Sequence, residues 1–431
     1  MKHFSLNLET LSPLAIRADH APGGVENAGN IPGTTLLGSL AALHRLSHPG
    51  DAAAFEQLFL SGQIRYPDLY PASFKQDALQ GSTTLPIYPL PKTAQSCKRY
   101  PGFKPQEDQE KDDDDGHGVR DSLVDMAIFS LAEGAERNGQ AVNWEFLLKP
   151  LQDRAVCHVF EKPMPMDHFS GYYRRSIING HMAEAGAETR LQTRTGINRD
   201  TGTVQENILY SRRVFQEHAR FQGELLVEDD LAPVLEQFIK EIASTGFVRI
   251  GTGRSRGMGK VSLALEAIRE SEQDRFTSFK QRATAFNTKL REQIQSASDS
   301  LKLAPFYFAL TLHSPLILRD NLLRYRGVIN EKLLQELLNI SADSFALICQ
   351  NADTRQILGW NELWGMPRTK EVAIDTGSVF LFATTIEEEK ALEELLKALF
   401  ELEQAGIGRR KAEGFGRICI SDQFHQEVEL K

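Results

Sequence analysis

Alternation of side-chain character marks the start of each half of the chain. Large apolar side chains alternate with other residues at positions 4–8 and again at 306–310, and both runs lead into Ser-Pro-Leu, at 12–14 and 314–316. A period of two is typical of a half-buried strand, and Ser-Pro marks its end or a bulge. The pattern therefore predicts the same kind of strand at the start of each half.

A second matched pattern closes each half. A strand-like run from Gly223 precedes a helix-like segment at 231–246 and a glycine-rich loop that starts at Gly251. In the second half a strand-like run from Gly377 precedes a helix-like segment and a loop that starts at Gly406. The two glycines lie 28 residues apart (251 − 223) in the first half and 29 (406 − 377) in the second. Shared order and spacing predict two copies of one folding unit.

This order of elements suits a βαββαβ unit, so we expect an α+β fold of two ferredoxin-like domains in tandem. The first domain is expected over residues 1–265, with a large insertion at about 60–215. Residues 266–304 have few glycines and many charges and predict a polar helical linker. The second domain is expected over residues 305–431.

Length and composition narrow the class of protein. A chain of 431 residues supplies cores for two or three domains. No apolar run approaches the ~20 residues that a membrane span needs, and the N-terminus lacks a signal-peptide pattern. The four cysteines are scattered without a visible disulfide framework, which favours a reducing cytoplasm.

The distribution of charge favours a local basic face on an acidic protein. The net charge of −9 counts against a wholly basic surface, but much of the acid lies in one segment at 107–116. Basic residues cluster in and near the two glycine loops instead. A basic face of this kind is expected of a protein that grips RNA within a larger assembly.

The glycine loops are the main candidate site. Glycine lets a backbone approach a phosphate closely, and flanking Arg and Lys neutralise its charge. The alternative is that these glycines only build tight helix-to-strand turns. The pattern does not favour a P-loop, because neither loop has the Gly-Lys-Ser/Thr ending or the strand-to-helix order. The predicted RNA-binding residues are Gly251, Gly253, Arg254, Arg256, Gly257, Gly259 and Lys260 in the first loop, and Gly406, Gly408, Arg409, Arg410, Lys411, Gly414 and Gly416 in the second.

Several motifs together resemble a known family. The spacing of glycines at 406–416 is similar to the glycine-rich loop of the CRISPR-associated RAMP superfamily, and residues 31–40 resemble the start of its first helix. Residues 195–210 resemble its thumb-like β-hairpin. Residues 359–379 look like the second half of the two-domain subunit of type III-D effectors, the Csx-ten family.

The resemblance implies an RNA-binding subunit of a type III CRISPR effector complex, similar to the Cas-five type that caps the 5′ handle of the CRISPR RNA. Its implied partners are CRISPR RNA, nearby target RNA, the large polymerase-like subunit, the backbone RAMP subunits and the small subunit. No cofactor, no membrane and no chemistry of its own are expected. The alternative is a RAMP endoribonuclease that processes precursor CRISPR RNA or cleaves target RNA.

Further candidates come with alternatives of their own. Six of them are proposed RNA contacts, and the alternative is a plain helix start or an exposed hairpin; they are Thr34, Thr35, Ser39, Arg190, Arg194 and Arg199. Trp360 and Trp364 could stack on bases, with burial as the alternative.

Other residues are candidates for catalysis or metal binding. Relatives that process precursor RNA use a histidine, for which His20, His44 and His48 are available. Relatives that cut target RNA use an acidic residue, for which Asp19 is available, with Asp320 as its repeat partner. A zinc site is a further possibility that the resemblance raises, although no C-x-x-C is present. Its candidate ligands are Cys97, His117, Cys157 and His158.

Overall fold

The computed structural model describes residues 1–17, 28–74, 86–104, 116–158, 163–175, 182–197, 204–246, 248–298, 301–340, 344–361 and 365–427. The candidates Asp19, His20, Arg199 and Trp364 lie outside the described residues. Among the helices of the described ranges, none is both long and apolar enough to cross a membrane.

The chain has a mixed α+β fold with several antiparallel sheets. The strands of the first half are β1 (Lys2–Thr10), β2 (Ile64–Arg65), β3 (Tyr70–Pro71), β4 (Ser73–Phe74), β5 (Tyr88–Pro89), β6 (Ala94–Cys97), β7 (Val119–Asp121), β8 (Val156–Cys157), β9 (Met164–His168), β10 (Tyr172–Arg175), β11 (Met182–Gly186), β12 (Thr189–Ile197), β13 (Val204–Phe215), β14 (Arg220–Val227) and β15 (Val261–Ala267). Those of the second half are β16 (Phe306–Leu312), β17 (Phe345–Asn351), β18 (Thr354–Ile357), β19 (Trp360–Asn361), β20 (Met366–Pro367), β21 (Glu371–Ile374), β22 (Val379–Thr384) and β23 (Ile418–Ile420).

Helices connect and cover these strands. The α-helices are α1 (Gly33–Ser47), α2 (Ala52–Phe55), α3 (Leu123–Arg137), α4 (Trp144–Arg154), α5 (Ala232–Thr245), α6 (Glu272–Ala297), α7 (Glu331–Leu338), α8 (Glu389–Ala405) and α9 (Phe424–Glu427). Single turns of other helix types lie at Glu56–Leu60, Arg254–Arg256 and Lys411–Glu413, the last two inside the glycine loops.

Each half is built around one antiparallel sheet, and the two sheets have the same strand order. The first sheet runs β15-β1-β14-β2, with β3 also paired to β14, and the second runs β17-β22-β16-β23. When the strands of each sheet are numbered along the chain, both orders read 4-1-3-2. The repeat predicted from the glycine spacing is therefore present in the topology.

The first core lies between its sheet and helices α1 and α5. Alternate residues of β1, namely Phe4, Leu6 and Leu8, face this core. Helix α5 packs on them through Leu235, Phe238, Ile239 and Ile242, which are spaced by three or four residues as an amphipathic helix requires. Gly246, with φ of 64°, ends this helix in the left-handed conformation that glycine adopts without a steric penalty.

The second sheet is covered on both faces. Phe306, Phe308 and Leu310 of β16 pack against α7 and α8. The intervening Tyr307 and Ala309 face a third cluster that includes residues of α3 and α6. Because both faces are buried, every residue of β16 is buried and the strand does not show the polar alternation of β1.

Helix α6 lies within the stretch predicted to be a linker. Ser271 caps its start, because the hydroxyl of Ser271 accepts a hydrogen bond from the amide of Asp274 at 3.1 Å. One side of the helix is buried, through Phe279, Ala283, Phe286, Leu290 and Ile294. These residues pack on the second half and on α3 of the first-half insertion. The insertion and the second half thus share a core.

Candidate nucleic-acid interface

The two glycine loops are anchored to the sheets by the same hydrogen bond. The amide of Lys260 donates to the hydroxyl of Ser12 at 2.8 Å, and the amide of Arg417 donates to the hydroxyl of Ser314 at 2.8 Å. The serine in each case belongs to the Ser-Pro-Leu motif that follows the first strand of the half. The motif and the loop that the sequence placed far apart therefore form one local structure.

Close backbone approach explains the last glycine of each loop. A Cβ added to Gly259 would lie 2.1 Å from the carbonyl oxygen of Ile250, and one added to Gly416 would lie 1.8 Å from that of Ile407. Both glycines also have positive φ, 78° and 75°. Any side chain here would force the loop apart. The turn-building role considered from the sequence accounts for these two glycines without a ligand.

The outer part of the first loop is exposed to solvent. Arg254, Arg256 and Gly257 are exposed, whereas Met258 and Gly259 are buried. Arg249, which precedes the loop, supports it from below: its guanidinium donates to the carbonyl oxygen of Arg254 at 3.2 Å and to that of Met258 at 3.3 Å. The exposed part of the loop therefore presents the backbone of Gly257 next to the charged side chains of Arg254 and Arg256.

A long hairpin, β12–β13, carries a row of arginines on one face. Cross-strand partners in this hairpin are Arg190 with Val214, Gln192 with Arg212, and Arg194 with Tyr210. Directly opposite residues of an antiparallel pair share a face. Arg190, Arg194 and Arg212 therefore lie on the same face as Tyr210.

The basic face of the hairpin is joined to the first glycine loop. Arg212 donates from Nη1 to the hydroxyl of Thr252 at 2.9 Å, and Arg256 donates from Nη1 to the phenol oxygen of Tyr210 at 2.8 Å. Below these bonds, Val214 packs with Ala15 and Met258 in a small buried cluster. The hairpin and the loop consequently form one continuous surface, which we call the loop-1 face: Arg190, Arg194, Tyr210, Arg212, Arg254 and Arg256.

Sequence reasoning did not select Arg212 and Tyr210 for the site. The signal that would have found them is the period of two: positions 210, 212 and 214 share a face just as 190, 192 and 194 do. Arg213, next in the chain, lies on the opposite face with Leu191. Only the register of the two strands decides which arginines meet the loop.

The second glycine loop is built differently, because acidic neighbours hold its arginine. Arg410 donates to Glu371 at 2.7 Å and to Glu413 at 2.8 and 3.0 Å, and its guanidinium lies 4.7 Å from the centre of the Phe415 ring. Gly408 and Arg409 are exposed, while Lys411 is half-buried. The RNA-binding roles predicted for Arg409, Arg410 and Lys411 stay predictions.

Arg417, at the end of this loop, joins the two halves of the chain. Its guanidinium donates to the carboxylate of Glu224 at 2.5 Å and to the Glu224 carbonyl at 2.8 Å, and His3 also contacts the carboxylate, at 2.5 Å. Burial raises the pKa of Glu224, but Arg417 and His3 lower it more, to about 2. This carboxylate is therefore ionised over the whole physiological range.

The start of α1 lies against the second loop. Gly33 is enclosed, since an added Cβ would come within 2.6 Å of the Tyr66 and Glu413 carbonyl oxygens. The amide of Gly33 donates to Oδ1 of Asp68 at 2.7 Å. Burial raises the pKa of Asp68 to about 6, although this hydrogen bond from Gly33 lowers it. The candidates that follow Gly33 are placed near the second loop rather than the loop-1 face: Thr34 and Thr35 are half-buried and Ser39 is buried.

A second buried polar group lies between the halves. Asp422 accepts hydrogen bonds from the Tyr173 hydroxyl at 2.9 Å and contacts Nε2 of His313 at 2.6 Å. Burial raises the pKa of the Asp422 carboxyl, but His313 and His425 hold it well below its usual range. Cys419 lies with His313 and Asp422 in a group whose ligand-type atoms are within 4.8 Å of one another.

Three of the four zinc candidates come together in the insertion. The ligand-type atoms of Cys97, His117 and Cys157 lie within 4.8 Å of one another, and Sγ of Cys157 is 3.4 Å from Nδ1 of His117. Strands β6 and β8, both paired to β9, hold the two cysteines. His158 instead contacts Asp153 at 3.1 Å. The donor set fits three of the four positions of a structural zinc ion.

The remaining catalytic candidates occupy structural positions. His44 is buried among Phe55, Phe59 and Phe238, with ring centroids 5.3–5.9 Å away. Burial lowers its pKa, and neighbouring His48 lowers it further. Asp320 accepts hydrogen bonds from the amides of Leu322 and Arg324, both at 2.9 Å, so it organises its own turn.

The family model of the RAMP superfamily matches residues 7–262. No curated protein matches the sequence. One similar solved chain belongs to a cryo-EM structure of the Type III-B Cmr-beta bound to cognate target RNA, with 11% identity and a TM-score of 0.29 over 62% of this chain and 97% of that chain. Another belongs to a structure of the same complex with cognate target RNA and AMPPnP. It has 13% identity and a TM-score of 0.31, and the match covers 92% of this chain and 93% of that chain.

The solved structures carry no argument at these scores, but the family match spans more than half of the sequence, including the end of β1, all of α1, the hairpin β12–β13 and the first glycine loop. The chain therefore belongs to the RAMP superfamily.

Proposed function

We propose that this protein is a non-catalytic RNA-binding subunit of a cytoplasmic type III CRISPR effector complex, and that it holds the 5′ handle of the CRISPR RNA. The observation that carries the proposal is the loop-1 face. It combines an exposed glycine backbone at Gly257 with arginines from two different elements. Such a combination suits the phosphates of a single strand, because backbone amides and guanidinium groups both donate to phosphate oxygens.

We infer two tandem ferredoxin-like domains, residues 1–265 and 305–431, joined by 266–304, and the shared 4-1-3-2 strand order supports this division. Membership of the type III-D Csx-ten group, with the large subunit, the backbone subunits and the small subunit as partners, is part of the same proposal. The hairpin β12–β13 would act as the thumb against the neighbouring guide–target duplex.

We propose that the two glycine loops have different roles. Arg254 and Arg256 project from an exposed loop, whereas Arg410 is paired with two glutamates and Arg417 with a third. An arginine that is already paired with carboxylates must break those ion pairs before it can bind a phosphate, and this loss offsets the free energy gained from the phosphate. We therefore assign the main phosphate contacts to the first loop and a joining role to the second.

The experiment that tests the function is co-expression of the chain with its genomic neighbours, purification, and sequencing of the RNA that accompanies it. The expected result is a discrete RNA with a constant 5′ repeat-derived end that crosslinks to this subunit. Trimming of repeat RNA by the isolated chain would contradict the non-catalytic assignment. Absence of both RNA and partner subunits would overturn the proposal.

Salt dependence tests the site itself. Replacing Arg254, Arg256 and Lys260 by Ala removes three positive charges, and the slope of log affinity against log salt should fall by about 2, at roughly 0.7 per phosphate contact. The matched control replaces three exposed basic residues outside both glycine loops and should leave the slope unchanged. These residues are Arg137, Lys149 and Lys240. An equal slope in both triple variants would remove the first glycine loop from the site.

A further inference from the structure

Both halves carry a hairpin at the same place in the topology. Along the chain, the hairpin β12–β13 lies between β2 and β14 of the first sheet, and the hairpin β18–β21 lies between β17 and β22 of the second sheet. In both halves these are the second and third strands of the sheet in chain order. Each hairpin ends by pairing with the leucine of the Ser-Pro-Leu motif. Leu14 exchanges hydrogen bonds with Phe215 at 3.1 and 2.8 Å, and Leu316 exchanges them with Ile374 at 2.9 and 2.8 Å.

The equivalence extends to the contact between hairpin and glycine loop. In the first half Arg256 of the loop donates to Tyr210 of the hairpin. In the second half the direction is reversed, because Arg368 of the hairpin donates from Nη1 to Glu413 of the loop at 2.7 Å. Each half therefore holds its hairpin against its own glycine loop through an arginine.

The outer part of the second hairpin exposes large apolar side chains. Strands β19 and β20 place Trp360 opposite Pro367, and Asn361 opposite Met366. Trp360 and Pro367 therefore share one face, and Met366 lies on the other. Trp360 is 58% exposed and Met366 is 51% exposed. An indole this accessible offers a flat surface on which another ring can stack.

The surroundings of Trp360 favour a nucleic acid over a protein partner. Residues 365–370 are all exposed and include Lys370, and the exposed Arg409 belongs to the second glycine loop, against which Arg368 holds the hairpin through Glu413. An exposed aromatic ring on a hairpin that also carries exposed basic residues suits single-stranded nucleic acid, because the ring can stack on a base and the charges can neutralise the backbone.

We propose that the second hairpin is a separate RNA contact in which the Trp360 indole stacks on an unpaired base. The inference rests on the proposed function, since it takes RNA as the ligand of the chain. It adds a second site in the half of the protein whose glycine loop is occupied by ion pairs. The described residues that form it are Trp360 and Lys370, together with Arg409 of the adjoining loop.

The test uses the full-length chain and a fluorescein-labelled single-stranded RNA, with binding followed by anisotropy over a series of salt concentrations. Trp360→Ala should weaken binding about tenfold, because stacking of one base on an aromatic side chain is worth ~1–3 kcal/mol. The salt slope should not change, since stacking releases no counterions. Trp360→Phe keeps a ring and should recover most of the affinity. The matched control is Phe146→Ala, which removes an aromatic side chain that is 62% exposed on α4.

The outcomes separate the two proposals. If Trp360→Ala binds RNA as the parent does while the Arg254/Arg256/Lys260 variant binds weakly, the second site is overturned and the proposed function stands. If neither changes RNA affinity, both fall. Loss of a co-purifying subunit from Trp360→Ala at unchanged RNA affinity would identify the hairpin as a protein contact and would also overturn the second RNA site.

Discussion

Arg256 donates a hydrogen bond from Nη1 to the phenol oxygen of Tyr210 at 2.8 Å and so fixes the first glycine loop against the long hairpin. The two residues are far apart in the sequence and come from different elements. Their contact converts two separate basic segments into one surface. The hydrogen bond also holds the guanidinium in place before any ligand arrives.

Removing the phenol hydroxyl should weaken RNA binding without changing its salt dependence. Tyr210→Phe leaves all charges in place but deprives Arg256 of an acceptor, so we expect a loss of about two- to tenfold in affinity, since an exposed hydrogen bond contributes ~0.5–1.5 kcal/mol. Arg256→Ala should instead lower the salt slope by roughly 0.7. The double variant should match Arg256→Ala alone, because the two residues act as a unit.

The control for this pair is Tyr325→Phe, which removes a similar hydrogen bond from Arg319 in the second half. Tyr325→Phe should leave the affinity of the protein for RNA unchanged. Additive effects of Tyr210→Phe and Arg256→Ala would show that the hydrogen bond does not position the guanidinium for RNA.

Two neighbouring glycines separate the turn-building role from the binding role. At Gly259 an added Cβ would collide with the Ile250 carbonyl, so Gly259→Ala should cost ~4 kcal/mol of unfolding free energy or prevent folding. At Gly257 nothing lies within 4 Å of an added Cβ, and only its φ of 81° opposes alanine, at about 1–2 kcal/mol. Gly257→Ala should therefore fold.

RNA titration of Gly257→Ala then tests whether phosphate approaches the bare backbone. We expect at least a fivefold loss of affinity with an unchanged circular dichroism spectrum. Parent-like affinity would mean that Gly257 serves the turn alone, and that the arginines hold the RNA without close backbone contact.

The buried carboxyl of Asp68 should make stability depend on pH. Its pKa is raised from 3.8 to about 6, chiefly by burial. Because folding raises the pKa of this carboxyl, its ionisation lowers the free energy of unfolding progressively as pH rises from about 4 through 6. Asp68→Asn keeps an oxygen acceptor for the Gly33 amide but has no proton to lose.

The melting temperature of Asp68→Asn relative to the parent should therefore rise between pH 4 and pH 7 and then level off. Thermal denaturation across this range measures it. A difference that is constant with pH, or that falls as pH rises, would contradict the assignment. Glu224→Gln is a useful contrast, because the Glu224 pKa is lowered to about 2 and its stabilisation is lost only as pH falls from about 4.5 toward 2.

Metal analysis should settle the role of the cysteines in the insertion. If Cys97, His117 and Cys157 hold zinc, the purified protein should contain one equivalent by mass spectrometry, and Cys97→Ser should lose it together with several degrees of melting temperature. Cys419→Ser tests the second group, with His313 and Asp422. Protein without zinc, and without a change in stability on chelation, would leave both groups as buried polar contacts.

Much of the fold was accessible from the sequence because its local signals repeat. The strand from Gly223, the helix that ends at Gly246 and the loop from Gly251 all have counterparts in the second half, and the structure contains these elements in both. The alternation of β1 identified its core-facing side chains, Phe4, Leu6 and Leu8. Periodicity reports which side of an element is apolar, and that much is local information.

The pattern of residues along the chain was therefore enough to predict a repeated order of strands and helices, and the glycine-rich turns within it. What each basic residue contacts depends on how the chain folds. Arg254 and Arg410 occupy loops of the same kind, yet one is exposed and the other is held by Glu371 and Glu413. Strand register and the packing of one half on the other bring distant charges together, and a single sequence records neither directly. The partner of a charge is therefore a property of the folded chain.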